Sequence, residues 1–131
     1  MKLLGATNRS KYVNCLYVVN KNTKSVYETN KAGMSKEHQK ERILWRGSMN
    51  RNWLSILMSG PDMAHTKDGM FGVGIYFANK AGKSAGYTDS RQAAYTKTVP
   101  GKHSFFLGLF RVLVGKEYKI SDNDKRMHFF T

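Results

Sequence analysis

The sequence predicts a single mixed α+β domain built around a sheet. A length of 131 residues fits one domain. Hydrophobic residues make up 40% of the chain and aromatic residues 12%, so a packed core is expected. Runs rich in β-branched and aromatic residues alternate with stretches of helical spacing, which is the pattern of a mixed fold. We therefore treat residues 1–131 as one domain.

The N-terminal part of this domain, about residues 12–40, is predicted to hold one strand and one helix. Residues 12–19, YVNCLYVV, have the composition of a strand. Thr23 is a candidate N-cap for a helix that extends to about Lys31. The single cysteine, Cys15, excludes an intramolecular disulfide and is expected to be a small buried hydrophobe.

The core of the domain, about residues 41–131, is predicted to begin with the strand ERILWR, which runs directly into Gly47. A helix follows, because Trp53, Ile56 and Leu57 recur at helical spacing. Its predicted boundaries are, in chain order, the N-cap Ser48 or Asn50, the terminator Gly60 and the helix-breaking Pro61.

Four further segments complete the predicted order. Residues 61–69 are a polar loop, residues 71–77 a strand, and a helix begins near Asn79. A loop over residues 89–103 leads to the longest apolar run, SFFLGLFRVLVG. That run is apolar on both faces, so we expect it to be a central buried strand.

The chain is strongly basic, with 22 Lys and Arg against 9 Asp and Glu and a formal net charge of +13. This balance favours polyanions such as nucleic acid or pyrophosphate as partners. The basic residues are scattered, so a solvated basic surface is favoured and a dedicated nucleic-acid site is the alternative. With no signal peptide and no apolar stretch of roughly 18 residues, we expect a cytoplasmic protein, or a nuclear one in a eukaryote, that is not secreted and has no membrane partner.

Residues 69–87 hold the most informative pattern. In the predicted strand, one face carries large apolar side chains, and the other face is almost bare backbone interrupted by one ring. The apolar face comprises Phe71, Val73, Ile75 and Phe77, and the bare face Gly72, Gly74, Tyr76 and Ala78. Glycine within a strand indicates close approach of a ligand or of another backbone, and the strand alone does not decide between a binding site and a β-bulge.

The helix after this strand places a hydroxyl and a ring three residues apart, in Ser84 and Tyr87, and so on one helix face. If that face borders the bare side of the strand, Tyr76 and Tyr87 sandwich a planar heterocycle while Ser84 binds its polar edge. The alternative is an ordinary surface helix with Asn79 as its cap. The pattern is typical of a nucleotide-binding pocket.

Several other site classes lack support in the sequence. The GVG of the predicted strand is no dinucleotide fingerprint, because Phe77 stands where G-x-G-x-x-G requires its last glycine. No nucleophile-elbow motif supports a serine hydrolase. No metal site is expected, because the histidines fall in no ligand spacing: His38, His65, His103 and His128.

Three blocks of the chain resemble the catalytic domain of the poly(ADP-ribose) polymerases, the diphtheria-toxin-like branch of the ADP-ribosyltransferases. ILWRGSMNRNWLSILMSG is similar to the family's first core strand, its His-Gly-Ser/Thr turn and the next helix. MFGVGIYFANKAGKSAGY is similar to the family's most characteristic stretch, and FFLGLFRVLVGKEYKI to its later strand pair. The resemblance covers nearly the whole chain. It implies the ADP-ribosyltransferase fold, a split antiparallel β-sheet core flanked by short helices.

The resemblance also implies a site for NAD+ as co-substrate, with no metal. The backbone of Gly47, in a turn that also contains Ser48, and the hydroxyl of Ser84 would hold the nicotinamide carboxamide. Tyr87 would stack on the nicotinamide ring, and Tyr76 would pack against its other side. The family's reaction breaks the nicotinamide–ribose bond through an oxocarbenium-like state and transfers ADP-ribose to a protein or nucleic-acid acceptor.

Two departures from the family pattern bear on activity. Arg46 replaces the family's histidine, and we expect it to bind the ribose or a phosphate of NAD+. The family's catalytic glutamate lies on a strand well after the match to LVGKEYKI, and no acidic residue here matches it: Glu28, Glu37, Glu41 and Glu117 lie elsewhere, and Asp122 and Asp124 come too early. We therefore expect these 131 residues to lack the C-terminal strands of the fold.

Three interpretations of this difference are open: a fragment, a shortened member that borrows its last strands, or a binding-only relative. Transfer of single ADP-ribose units is favoured over polymer synthesis, because elongation in the family relies on the glutamate and the histidine. The competing hypotheses are a catalytically silent module that binds NAD+ or ADP-ribose, and a basic nucleic-acid-binding domain.

Overall fold

A computed structural model describes residues 16–63, 66, 68–89 and 105–120. Their helices and strands are α1 (Lys21–Ala32), β1 (Glu41–Gly47), α2 (Trp53–Ser59), β2 (Asp68–Gly69), β3 (Gly72–Val73), α3 (Ala81–Ala85) and β4 (Leu107–Leu113), with short 3-10 turns at Lys36–His38 and Asn50–Asn52. The predictions for residues 12–15 and 90–103, for three of the histidines and for Asp122 and Asp124 lie outside the described residues.

The centre of the described fold is an antiparallel pair of seven-residue strands, β1 and β4. Their register places Glu41 opposite Leu113 and Gly47 opposite Leu107. On its other edge β1 exchanges two backbone hydrogen bonds with Ala78, since Trp45 N donates to Ala78 O at 2.7 Å and Ala78 N donates to Trp45 O at 2.8 Å. The segment that leads into α3 is thereby fixed beside β1.

One face of this strand pair packs against aromatic side chains. The Trp53 ring of α2 lies 6.4 Å from the rings of both Phe106 and Phe110, and Phe77 lies 5.7 Å from Phe110. Gly108 leaves room for this cluster, because a Cβ there would lie 2.6 Å from the Trp53 ring. The described core thus lies where the Trp53 ring of α2 packs against the first half of β4.

Helix α1 packs beside the start of β1 through polar contacts. The Tyr27 hydroxyl donates to the Glu41 carboxylate at 2.7 Å, and Lys31 Nζ bonds to the same oxygen at 2.8 Å. The Arg111 guanidinium of β4 lies 5.1 Å from the Tyr27 ring centre. Burial, together with the bond to Glu41, raises the pKa of Tyr27 to about 12, and the bonds from Lys31 and Tyr27 lower the pKa of Glu41.

The predicted mixed α+β class, with antiparallel strands and short helices, is confirmed. The helix ending near Lys31, the strand at ERILWR, the helix around Trp53 and the strand within residues 104–115 are all present. Gly60 ends α2 with a φ of 82°, as expected of a glycine terminator. The division into residues 12–40 and a core of 41–131 stays a prediction.

The helix caps differ from those predicted. Asn20, not Thr23, caps α1, since its side chain accepts from the N–H groups of Asn22 and Thr23. Helix α2 begins at Trp53 after a 3-10 turn and has no side-chain cap, so Ser48 and Asn50 do not have that role. Lys80, not Asn79, precedes α3. Several polar residues precede each helix in the sequence, and the sequence alone does not show which of them becomes the N-cap.

One strand prediction and one burial prediction are wrong in the described residues. Residues 16–19 form no strand, and Tyr17 is 90% exposed. The run within residues 104–115 is not buried on both faces, because Leu109 is 51% exposed on the side away from the Trp53 cluster. Apolar composition indicated extended structure but did not determine which faces other elements cover.

Of the strand predicted at residues 71–77, only Gly72 and Val73 are in a strand, which is the second strand of a short hairpin. Strands β2 and β3 pair Asp68 with Val73 and Gly69 with Gly72, so part of the predicted loop 61–69 is strand. Gly72 has a φ of 87°, a conformation that favours glycine. Phe71 and Val73 are exposed and do not form the predicted core face. The chain turns within this segment, and strand alternation therefore does not persist.

Candidate functional site

The carboxyl end of β1 and helix α3 meet at Gly47 and Ser84. A Cβ on Gly47 would lie 2.8 Å from the Ser84 carbonyl carbon, closer still to its oxygen, and 3.3 Å from the Thr88 methyl group. No L side chain fits at this position unless the backbone of α3 moves. The glycine is required because two backbones touch, and this contact fixes Ser84 beside the end of β1.

Ser84 and Tyr87 come together through the turn that ends α3 rather than through a shared helix face. The helix stops at Ala85, where Gly86 follows, and Tyr87 N donates to Ser84 O at 3.1 Å. Ser84 is 3% exposed, whereas Tyr87 is 55% exposed. The predicted helix does not reach Tyr87: it ends after five residues, and Gly82 within it weakens it.

Ser48 lies buried in the turn after Gly47. Its hydroxyl accepts from Asn52 Nδ2 at 3.0 Å, and its carbonyl accepts from Trp53 Nε1 at 3.3 Å. The core tryptophan thus holds the turn that carries Gly47 and Ser48. Ser48 and Ser84 consequently lie on a rigid support formed by β1, α2 and α3.

The sequence interpretation missed two residues that follow α3, Thr88 and Asp89. The Asp89 carboxylate accepts from Asn50 N at 2.8 Å, which joins the segment after α3 to the segment before α2. Thr88 is buried, and its hydroxyl donates to Ala85 O at 2.7 Å. Neither residue belongs to a pattern that could have identified it, although both lie within two residues of Tyr87.

Arg46 is a buried cation. Its side chain is enclosed with the residue only 6% exposed, Nη1 donates to Tyr76 O at 3.2 Å, and the guanidinium carbon lies 5.9 Å from the Phe77 ring centre. Nε has no hydrogen-bond partner among the described residues, and no carboxylate in that part of the chain pairs with Arg46. Burial lowers the pKa of this guanidinium. An anion is the partner that such a group lacks.

The structure gives Tyr76 a contact that the sequence did not predict. Its hydroxyl accepts from Phe71 N at 3.2 Å and donates to Gly72 O, so it bridges the β2–β3 hairpin. A Cβ on Gly69 would lie 2.6 Å from the Tyr76 ring, which shows how closely the ring covers the hairpin. Tyr76 therefore joins the hairpin to Arg46, through its ring on one side and its carbonyl on the other.

The four glutamates of the chain lie away from this site. Glu41 pairs with Lys31 of α1, Glu28 of α1 pairs with Arg111 of β4, and Glu117 after β4 pairs with Arg42 of β1. Glu37 lies beside His38 in the 3-10 turn before β1. At about 3.3 Å per residue, the strand positions that carry the three pairs lie roughly 13–20 Å from Gly47.

Two open clefts, of about 520 and 680 Å³, also lie at the start of β1 and are not lined by the predicted site residues.

In the described part of the chain no three metal-binding side chains cluster. A search of the same residues found no helix long and apolar enough to cross a membrane. The chemistry available at the carboxyl end of β1 is thus a backbone turn, two buried serines, an exposed tyrosine and a buried cation.

Comparison with known proteins identifies relatives of this chain. The family model described as "Poly(ADP-ribose) polymerase catalytic domain" matches residues 3–129. The chain is 40% identical over 62 residues to "Poly [ADP-ribose] polymerase 1" of Danio rerio, which is 44% of this chain and 6% of that protein. It is 47% identical over 49 residues to "Poly [ADP-ribose] polymerase 2" of Homo sapiens, 34% of this chain and 8% of that protein.

A third relative aligns with a larger share of the chain. "Protein mono-ADP-ribosyltransferase PARP3" of Mus musculus is 34% identical over 83 residues, which is 63% of this chain and 14% of that protein. The aligned segments thus span between 6% and 14% of the length of these three relatives.

Proposed function

The chain belongs to the poly(ADP-ribose) polymerase catalytic domain family, whose model matches nearly all of it, and we propose that it binds NAD+ at the carboxyl end of β1 and serves the transfer of single ADP-ribose units. The contact between Gly47 and Ser84 supports this proposal most directly. That contact packs the backbone of α3 against the turn at the end of β1, so Gly47 and Ser84 are neighbours, and we assign both to one planar group.

The nicotinamide end of NAD+ is assigned to Gly47, Ser84 and Tyr87. A carboxamide offers one acceptor oxygen and two N–H donors, which match the backbone groups of Gly47 and the Ser84 hydroxyl. Tyr87, half-exposed beside the buried Ser84, supplies a flat ring against which the nicotinamide stacks. Ser48 supports the turn from beneath, and Tyr76 covers the adjoining hairpin.

The phosphates of NAD+ are assigned to Arg46. A buried guanidinium whose Nε has no partner, and which pairs with no carboxylate, within the described part of the chain costs free energy until an anion reaches it. The pyrophosphate is the anionic part of the dinucleotide, and arginine binds phosphate oxygens through two parallel hydrogen bonds. We therefore assign to Arg46 a role in NAD+ binding in place of the family's histidine.

The reaction breaks the bond between the nicotinamide nitrogen and the ribose carbon. The electron pair of that bond leaves with nicotinamide, the ribose carbon gains a bond to the acceptor's nucleophilic atom, and the acceptor loses a proton. In this chain, Gly47 and Ser84 hold the leaving group and Tyr87 orients its ring, so that the ribose carbon faces the acceptor. The four glutamates lie away from Gly47 and Ser84, so we assign the charge that stabilises the oxocarbenium-like state to another carboxylate.

The transfer of single units is supported by two observations. Arg46 stands in place of the histidine, one of the groups on which elongation depends in the family. The mouse relative, which aligns with 63% of this chain, carries mono-ADP-ribosyltransferase in its name. The acceptor is a protein or a nucleic acid.

Incubation of the chain with NAD+ tests the proposal. Nicotinamide release is followed by proton NMR, and ADP-ribose on the chain or on an added acceptor is detected by mass spectrometry. We expect the chain to bind NAD+ saturably. We expect it to release nicotinamide once the carboxylate that stabilises the oxocarbenium-like state is present. Binding without release in the presence of that carboxylate identifies the alternative, a catalytically silent module, and the absence of any NAD+ binding contradicts the proposal.

A further inference from the structure

A second candidate binding surface lies at the opposite end of β1 from the NAD+ site. The two clefts described above adjoin each other, because Lys116, Glu117 and Lys119 line both. Together they form one open, shallow surface beside the start of β1. We call it the basic groove; its cationic side chains are Lys40, Arg42, Lys116 and Lys119.

The floor of the basic groove is held in place by backbone contacts. Val114 N donates to Lys40 O at 2.9 Å, which joins the segment after β4 to the segment before β1. Gly115 then turns the chain with a φ of 65°. The lysines therefore project from two segments that are fixed relative to each other, rather than from one mobile tail.

The charge of the basic groove is positive. Its four cationic side chains face two carboxylates, those of Glu37 and Glu117. Arg42 pairs with Glu117 at 2.5 Å and so neutralises it, while Glu37 points outward with its side chain 79% exposed. The three lysines are thus left to attract anions, and the net charge of +13 on the chain strengthens the attraction.

An aromatic ring stands at the edge of the same groove. Tyr118 lines one of the two clefts and is 75% exposed, between Glu117 and Lys119. Exposed rings beside cationic side chains are the combination by which proteins bind single-stranded nucleic acid, because bases stack on the ring while phosphates meet the cations. An acidic peptide would use the lysines but gain nothing from the ring.

From these observations we propose that the basic groove binds single-stranded nucleic acid, with phosphates at Lys40, Lys116 and Lys119 and one base stacked on Tyr118. The groove lies about 20 Å from Gly47, since β1 separates the two. NAD+ and the nucleic acid therefore bind at the same time, and this inference goes beyond the proposed transferase function and does not depend on it.

Fluorescence anisotropy of a short labelled oligothymidine tests the proposal with the full chain. The double variant Lys116→Gln/Lys119→Gln is expected to bind about tenfold more weakly, and its slope of log K against log salt is expected to be about 1.4 smaller, because two phosphate contacts are lost. Tyr118→Ala is expected to weaken binding by about fivefold or more, with the salt slope unchanged.

The matched control is Lys21→Gln/Lys24→Gln, which removes the same charge from exposed positions on α1. This control is expected to stay within about twofold of the unchanged chain. Equal losses in the two double variants would show attraction by net charge alone and overturn the proposal. So would full retention of binding in Tyr118→Ala, or polyglutamate competing as well as the oligothymidine does. Circular dichroism confirms that each variant is folded.

Discussion

Gly47 on β1 and Ser84 on α3 are in backbone contact, so closely that the site has no room for a Cβ between them. This contact determines where the buried serine and the exposed Tyr87 lie relative to the end of β1. The proposed nicotinamide site depends on it, because a shift of α3 away from β1 separates the two groups assigned to the carboxamide.

Gly47→Ala tests that dependence. The added methyl group overlaps the Ser84 carbonyl, and we expect a loss of about 1–3 kcal/mol in the free energy of unfolding, together with loss of nicotinamide binding. Urea denaturation and calorimetry measure the two effects. Gly82→Ala is the control, because a Cβ there meets nothing within 4 Å and alanine favours the helix, so its stability should rise by up to about 1 kcal/mol. A Gly47→Ala protein as stable as the unchanged chain would contradict the contact.

Arg46→Met is expected to separate stability from binding. Removal of a buried cation that pairs with no carboxylate among the described residues should leave the free energy of unfolding equal or higher. Affinity for ADP-ribose should fall at least about tenfold, while nicotinamide binds as before, since nicotinamide carries no phosphate. Arg51→Met, at an exposed position, is the control. A destabilised apo protein, or an equal loss for both ligands, would show that Arg46 is a structural group.

Tyr76→Phe removes the hydroxyl that bridges the β2–β3 hairpin. Phe71 N loses its acceptor and Gly72 O loses its donor, so we expect a cost of about 1 kcal/mol and faster amide exchange at Phe71. Hydrogen exchange followed by NMR measures the local effect. Tyr17→Phe, at a ring that is 90% exposed, should change neither quantity. Unchanged exchange at Phe71 would exclude the bridging role.

The tyrosine pKa values provide a test that is independent of any ligand. Tyr27 should titrate near pH 12, and in Glu41→Gln its pKa should fall towards 10 without reaching it, because burial is the larger cause and remains. An unfolded tyrosine loses its proton near pH 10, before the folded one does, so stability should decline as the pH rises from 10 to 12. NMR titration of the tyrosine ring carbons measures the shift. A Tyr27 pKa near 10 in the unchanged chain contradicts the contact with Glu41.

The larger elements of the fold could be predicted from the sequence. Helices α1 and α2 and strands β1 and β4 are long enough for their periodicity and composition to identify them. Strands β2 and β3 have two residues each, too few for alternation to identify them, and Gly72 with its positive φ begins β3 directly after the hairpin turn. Local patterns identify an element only where it extends over several side chains.

The candidate site was predictable in part. The resemblance to a known family selected Gly47, Ser84 and Tyr87, whereas helical spacing gave the wrong reason for their proximity, since α3 ends before Tyr87. The roles of Asp89 and Thr88 could not be predicted, because the contact of Asp89 with Asn50 and the closeness of Thr88 to Gly47 depend on how α3 packs against β1. Tertiary contacts of this kind leave no periodic trace in a sequence.

Calorimetric titration of nicotinamide tests the central claim most directly. Tyr87 is exposed enough for Tyr87→Ala to leave the urea midpoint unchanged, and Tyr17→Ala serves as the control for loss of an exposed ring. We predict saturable binding to the unchanged chain and to Tyr17→Ala, and no measurable binding to Tyr87→Ala. Equal affinity in all three proteins, or no saturable binding to the unchanged chain, would contradict the assignment of the nicotinamide site to the carboxyl end of β1.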